Sequence, residues 1–295
     1  MTADPTRLDV GLPDGRALEV AVSGPEGGLP LLWHHGTPGC CRQAQHLRRT
    51  THQRGLRLVT YSRAGAGGST RNIGRSVADV AADMEAVLDH LGADRCITGG
   101  GSGGGPHTLA TGALLPERVL AVICVCGARP YGDGKGFLDG MGQDNLDEFA
   151  LALQGEDALR PYLEKQQAAL AHADAGEVIA QLRSLLPPPD LAVLDGELGE
   201  DIAAGMRESV RSIDGWIDDD LAFIRDWGFD PTSISVPTAI WQGTEDLMVP
   251  SHHAEALAEA MPQAVLHLEE GEGHLSISVA GFGRALDEAL AHTRS

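Results

Sequence analysis

The chain has 295 residues, with 22 Lys+Arg against 42 Asp+Glu, a net charge of −20 and a pI near 4.8. That length holds one large α/β domain or two smaller ones, and the surplus of acid argues against a phosphate-binding face, so nucleic acid is not an expected partner. No stretch of about 18 apolar residues occurs, so no membrane helix is expected, and Met1–Arg7 lacks the basic-then-apolar leader pattern, which makes the cytoplasm the expected location.

Five cysteines (Cys40, Cys41, Cys96, Cys124, Cys126) show no C-x-x-C spacing, so neither a disulfide framework nor a zinc site is expected. Cys124 and Cys126 alternate within an apolar run and read as small core residues.

From the N-terminus, Leu8–Leu12 and Ala17–Ser23 flank Pro13-Asp14-Gly15-Arg16 and predict a hairpin. Leu29–His34 predicts a buried strand, 43–53 a helix and Leu56–Tyr61 a further strand. Apolar residues at helical spacing from Val77 to Leu91 predict a helix with Ser76 as N-cap. Arg95–Thr98 is the next strand, Pro106–Leu115 a helix, and Val119–Cys126 an apolar strand of the kind buried on both faces. This alternation predicts a mostly parallel sheet covered by helices.

Residues 130–230 differ in texture. They contain no convincing strand, 22 acids against 7 bases, and eight of the twelve aromatics of the chain. Amphipathic helices are predicted near Leu146–Leu153, Leu159–Ala173, Glu177–Leu186, Asp201–Ile213 and Trp216–Trp227, with Pro187-Pro188-Pro189 as a break. The alternating pattern then resumes: strand Val236–Gln242, helix Ser251–Ala260, strand Val265–Leu268 and closing helix Phe282–Leu290. The organisation expected is therefore a core from 1–129 and 231–295, with 130–230 inserted as a helical lid. Its aromatics would line an apolar pocket, build the insertion's own core, or do both.

Gly100-Gly101-Ser102-Gly103-Gly104 matches G-x-S-x-G between a strand and a helix. Such a turn strains Ser102 and exposes its Oγ, and the flanking glycines remove Cβ atoms that would clash there. The same residues also spell G-x-G-x-x-G (Gly99, Gly101, Gly104), but a dinucleotide site would need an acid about 20 residues on, and 119–126 hold none. Gly134-Lys135-Gly136 has no Ser or Thr after the lysine and is no Walker loop.

A nucleophilic serine needs a base and an acid to orient that base. Glu245 and Asp246 follow the strand Val236–Gln242, where α/β folds place their sites. Of twelve histidines, His274 alone lies in a tight loop after the strand Val265–Leu268. His252 and His253 are expected at the surface, His267 lies within a strand, and His46, His52, His90, His107, His172 and His292 fall on helix patterns. Together these residues run in the order Ser, Asp, His.

With that order the chain resembles the α/β-hydrolase superfamily. The likeness spans nearly the whole chain in four blocks: His34-His35-Gly36-Thr37-Pro38-Gly39, Tyr61–Ser69, the Ser102 elbow, and Asp246 with His274. It implies an eight-stranded sheet, a helical cap after the sixth strand, no metal or other cofactor, and Asp246 rather than Glu245 as the acid. It also implies an oxyanion hole from the N–H groups of Thr37 and Gly103. One departure is Ser62, where the family usually has Asp, so a carboxylate that orders the loop is missing.

The activity expected is hydrolysis of an ester, thioester or lactone of a largely apolar small molecule by a Ser102–His274–Asp246 triad, with His35, Trp216 and Phe223 facing the substrate. The serine nucleophile argues against the dehalogenase and epoxide hydrolase branches. One alternative resembles the proline iminopeptidases, in which lid carboxylates such as Asp218-Asp219-Asp220 would bind a free amine, although such a run is ordinarily a solvated face. An alternative of another class is a small-molecule receptor on the same fold.

Overall fold

The computed structural model describes residues 4–294. Its eight strands are β1 (Thr6–Gly11), β2 (Ala17–Ser23), β3 (Pro30–His34), β4 (Arg57–Tyr61), β5 (Cys96–Gly101), β6 (Val119–Val125), β7 (Thr238–Gly243) and β8 (Val265–Glu269). They form one sheet in the order β1-β2-β4-β3-β5-β6-β7-β8. The β1/β2 and β2/β4 pairs are antiparallel and every other pair is parallel. This is the predicted mostly parallel eight-stranded α/β sheet.

The period of two along each strand sorts the core into layers. Leu32, Val59, Val122, Cys124 and Ile240 face one side, packed against α2 (Val80–His90), α3 (Gly104–Leu114) and α10 (His252–Ala260). Leu31, Leu58, Ile97, Ile123, Val125 and Trp241 face the other, against α1 (Gln45–His52), α11 (Ser276–Ala280) and α12 (Phe282–Ala291). In α12 the buried Phe282, Ala285, Leu286 and Ala289 make one stripe at helical spacing. Burying a large aliphatic side chain in such a layer contributes about 1.5–3 kcal/mol. All five cysteines are free and buried.

Between β6 and β7 the chain contains helices and no strand: α4 (Gln143–Ala152), α5 (Glu156–Leu170), α6 (Ala175–Gln181), α7 (Pro188–Val193), α8 (Glu197–Ser209) and α9 (Asp214–Phe223). A third cluster, including Leu159, Leu163, Ala203, Ile217 and Leu221, holds these helices together. The proline run starts a helix as well as ending one, because Pro188 at the first position of α7 needs no N–H partner there.

Two other expectations shift. Ser76 does not cap α2; its hydroxyl donates to Asp79, and α2 begins after that residue. His253 is not at the surface but fully buried, with Nε2 2.9 Å from the Phe137 carbonyl and Nδ1 accepting from the Arg129 N–H. Among the described residues no helix is long and apolar enough to cross a membrane.

Candidate active site

β5 ends at Gly101 and α3 begins at Gly104, leaving Ser102 to turn the corner with φ +56°. A left-handed conformation costs a non-glycine residue about 1–2 kcal/mol. It is held by Ser102 N–H donating to the Val125 carbonyl at 2.9 Å and Gly105 N–H donating to the Ser102 carbonyl at 2.8 Å.

After β7, Asp246 is buried whereas its neighbour Glu245 is exposed. Asp246 Oδ1 accepts from the Met248 and Val249 amides, both at 2.8 Å. Its Oδ2 accepts from Gln242 Nε2 at 3.0 Å and from His274 Nδ1 at 2.8 Å. Burial alone would raise the Asp246 carboxyl, but the His274 ring and the two amides hold it below the ordinary carboxylate value. For His274, burial pulls down, yet the Asp246 carboxylate, with help from Asp190, carries the ring above the ordinary imidazole value. The Nδ1–H bond to Asp246 leaves Nε2 as the basic nitrogen of the neutral ring.

Cys126 lies alongside, with its thiol, Asp246 and His274 presenting donor atoms within 4.8 Å of one another. Burial first, then the Asp246 charge, keeps that thiol protonated, and His274 Nδ1 is already committed to Asp246. This donor chemistry fits an acid–base pair better than a metal centre.

The loop after β3 approaches Ser102 closely. A Cβ placed on Gly36 would lie 3.4 Å from Ser102 Cβ, and one on Gly103 would lie 2.3 Å from Thr37 Oγ1. Thr37 and Gly103 thus flank Ser102, with Gly103 at the N-terminus of α3, where the helix dipole favours negative charge.

Ser102 and His274 both border two cavities of about 260 and 270 Å³. The first is lined largely by apolar groups and includes Thr37, Gly103, Phe137, Phe149, Trp216 and Phe223. Trp216, Phe149 and Tyr162 also pack in the cluster that holds α4 to α9 together, whereas Trp227 and Phe229 stack on each other against the sheet's core. His35 lines the second cavity, not the first. Its Nδ1 is 2.6 Å from the Gly36 carbonyl and its Nε2 accepts from the Arg63 N–H, so both ring nitrogens brace the loop. Burial holds this ring at a pKa of about 3, hence neutral.

The Asp218–Asp220 run is neither a solvated face nor a single amine site. All three residues are buried, and each has a different partner. Asp218 pairs with Arg71 at 2.8 Å, and Asp219 pairs with Arg63 and Arg75, both at 2.5 Å. Only Asp220 reaches the first cavity, together with Glu148. Burial pushes both of these carboxyls up; for Asp220 the neighbouring Glu148 charge pushes further, whereas its hydrogen bonds restrain Glu148. Trp216 Nε1 donates to Glu148 at 2.7 Å, and Asp220 Oδ2 is buried without a partner. Sequence gave no signal for Glu148.

The loop that begins at Ser62 does have a carboxylate, supplied by Glu19. Ser62 Oγ donates to Glu19 Oε2 at 2.9 Å, and the same oxygen accepts from the Gly68 amide at 3.0 Å. A carboxylate from β2 therefore does the work of the absent Asp.

Comparison with known proteins agrees with this architecture. The model for the alpha/beta hydrolase fold matches residues 30–280. A proline iminopeptidase of Neisseria meningitidis is 25% identical over 289 residues, covering 92% of this chain and 91% of the relative. Among solved structures, a carboxylesterase of Nitrososphaera gargenis superposes with TM-score 0.72 at 16% identity, over 97% of this chain and 99% of the other. The epoxide hydrolase VrEH1 from Vigna radiata superposes with TM-score 0.70, also at 16% identity, over 99% and 98%. Similarity at that level identifies a fold, and the fold carries several chemistries.

Proposed function

Because this chain belongs to the α/β-hydrolase fold family, we propose that it is a serine hydrolase acting through an acyl-enzyme on Ser102, with esters, thioesters or lactones of largely apolar small molecules as substrates. In this reading residues 130–230 are the lid. His274 Nε2 removes the Ser102 proton as Oγ attacks the carbonyl, and Asp246 orients the ring and stabilises the imidazolium. The amides of Thr37 and Gly103 receive the oxyanion, each worth about 3 kcal/mol of barrier. His274 then protonates the leaving group, and water repeats the sequence on the acyl-enzyme.

The observation that supports this reading is the meeting of a strained Ser102 and a His274–Asp246 pair at one mainly apolar cavity. Trp216 and Phe223 supply apolar wall there, whereas His35 serves as a brace for the oxyanion loop.

A second reading, an aminopeptidase for substrates with a free amine, is favoured by one observation. The Glu148–Asp220 carboxyl pair faces the same cavity with one buried oxygen unpartnered. An ammonium group there would gain a charge-assisted bond. Hydrolysis of p-nitrophenyl acyl esters is compared with that of prolyl p-nitroanilide, in wild type and Glu148→Gln. Ester turnover that exceeds anilide turnover in wild type supports the first reading. Anilide turnover without ester turnover replaces it by the second, in which Glu148→Gln shifts the anilide/ester ratio about 30-fold toward the ester, the effect of losing ~2 kcal/mol of charge pairing.

A further inference from the structure

We infer that the helical insertion supplies two positioning residues, Asp190 and Asp219, which hold the His274 loop and the Thr37 loop in their working geometry. The inference rests on the serine hydrolase reading above.

Asp190 lies on α7, 84 positions before His274 in the sequence and fully buried against its loop. Its Oδ2 accepts from the His274 amide at 3.0 Å, and its Oδ1 accepts from the Leu275 and Ser276 amides at 2.8 and 2.9 Å. The Ser276 amide is the first of α11, which no preceding turn of helix can satisfy, and the other two lead into it. The carboxylate thus fixes the backbone of the residue whose ring must reach Ser102. The fit is close, since a Cβ on Gly273 would lie 2.5 Å from Asp190 Oδ1.

Asp219 does the corresponding work on the other side of the nucleophile. Its Oδ2 accepts from Thr37 Oγ1 at 2.6 Å and from Arg63 Nη2 at 2.5 Å, and its Oδ1 accepts from Arg75 Nη2 at 2.5 Å. Arg63 in turn donates to the carbonyls of His35 at 2.5 Å and Gly36 at 3.0 Å, and to Thr37 Oγ1 at 2.9 Å. The Thr37 hydroxyl is therefore held between the insertion and the core. With Asp219 only 2% exposed, these charges are screened little by water. The two halves of the machinery sit on the core's loops, yet both are pinned by carboxylates from the segment that covers the cavity. A chain whose insertion is displaced would keep its serine, histidine and acid but lose their alignment, and misplacement by about 1 Å costs about 100-fold in rate.

The test first establishes Ser102-dependent ester turnover in wild type, whose absence would remove the hydrolase reading itself. Asp190→Asn and Thr37→Val are then measured for kcat, KM and pH profile, with folding checked by circular dichroism. Asp190→Asn keeps the side chain's shape but sets an amide donor against one of the three N–H groups. It is expected to lower kcat about 10–100-fold with KM within about threefold. Its acid limb should move to lower pH, because an imidazolium that loses a nearby negative charge is less favoured.

Thr37→Val leaves both ion pairs intact and is expected to lower kcat about tenfold, with recovery in Thr37→Ser. Where Asp190→Asn does not fold, Gly273→Ala displaces the same carboxylate from the opposite side and should show the same loss of kcat. Ser102-dependent turnover in wild type, together with folded variants that match it in kcat and pH profile, would overturn the inference.

Discussion

Replacing His274 by Ala is expected to lower kcat for an ester substrate by about 10⁶-fold, the scale on which a serine hydrolase loses rate when its general base is removed. Among the described residues the ring is the one imidazole hydrogen-bonded to a buried carboxylate at the first cavity beside Ser102, through the 2.8 Å bond to Asp246. Without it, Oγ must attack as a neutral hydroxyl and the leaving group departs unprotonated. Steady-state kinetics with circular dichroism checks this, and a folded variant within tenfold of wild type would remove His274 from the role.

The pH profile gives an independent handle. In the proposed mechanism activity requires the neutral ring, and burial, Asp246 and Asp190 together leave its pKa above the ordinary imidazole value. The rate should therefore rise with pH through a midpoint above about 6.5 and stay depressed below it. A midpoint below 6 would contradict the electrostatics of this site.

The second large effect is expected at Gly104. A Cβ there would lie 2.1 Å from the His34 carbonyl oxygen and 2.8 Å from that of His35. Both obstacles are backbone, so they cannot swing aside as a side chain would, and α3 must move away from β3. That displacement acts on Ser102, two residues earlier, and on the Gly103 amide. Gly104→Ala should therefore lower kcat at least about 100-fold. Strain of about 1–3 kcal/mol should also lower the melting temperature by several degrees. The kinetic loss should persist at temperatures where the variant is fully folded. Wild-type kinetics in a folded Gly104→Ala would mean that helix and strand are not in close contact at the elbow.

Much of this architecture was legible because the relevant forces are local or periodic. The apolar run Val119–Val125 and the stripe in α12 state their burial directly, and a serine among glycines between a strand and a helix states its turn. Other features depend on partners distant in sequence. Asp190 follows three prolines that sequence marks only as a break, yet it binds the first amide of α11 across 86 positions. Glu19 lies in a hairpin strand that sequence does not connect with Ser62, yet its carboxylate binds the loop that begins there.

The Asp218–Asp220 run shows the limit most clearly. One turn of helix points adjacent carboxylates in different directions, and which of them meets Arg71, the Arg63–Arg75 pair or Glu148 depends on tertiary packing. Composition registers three acids. Packing makes the first an ion pair with Arg71, the second a brace for the Thr37 loop and the third a cavity wall. His253 differed for the same reason, since its place at the start of α10 suits the surface until the Phe137 carbonyl and Arg129 amide close over it.

The claim on which all of this depends is that Ser102 is an activated nucleophile. Intact-mass analysis after treatment with a small fluorophosphonate tests it without any guess about substrate. The account predicts one phosphonyl adduct on wild type and none on Ser102→Ala. An unmodified wild-type chain, or equal labelling of both proteins, would contradict it and favour a receptor that keeps the fold without the chemistry.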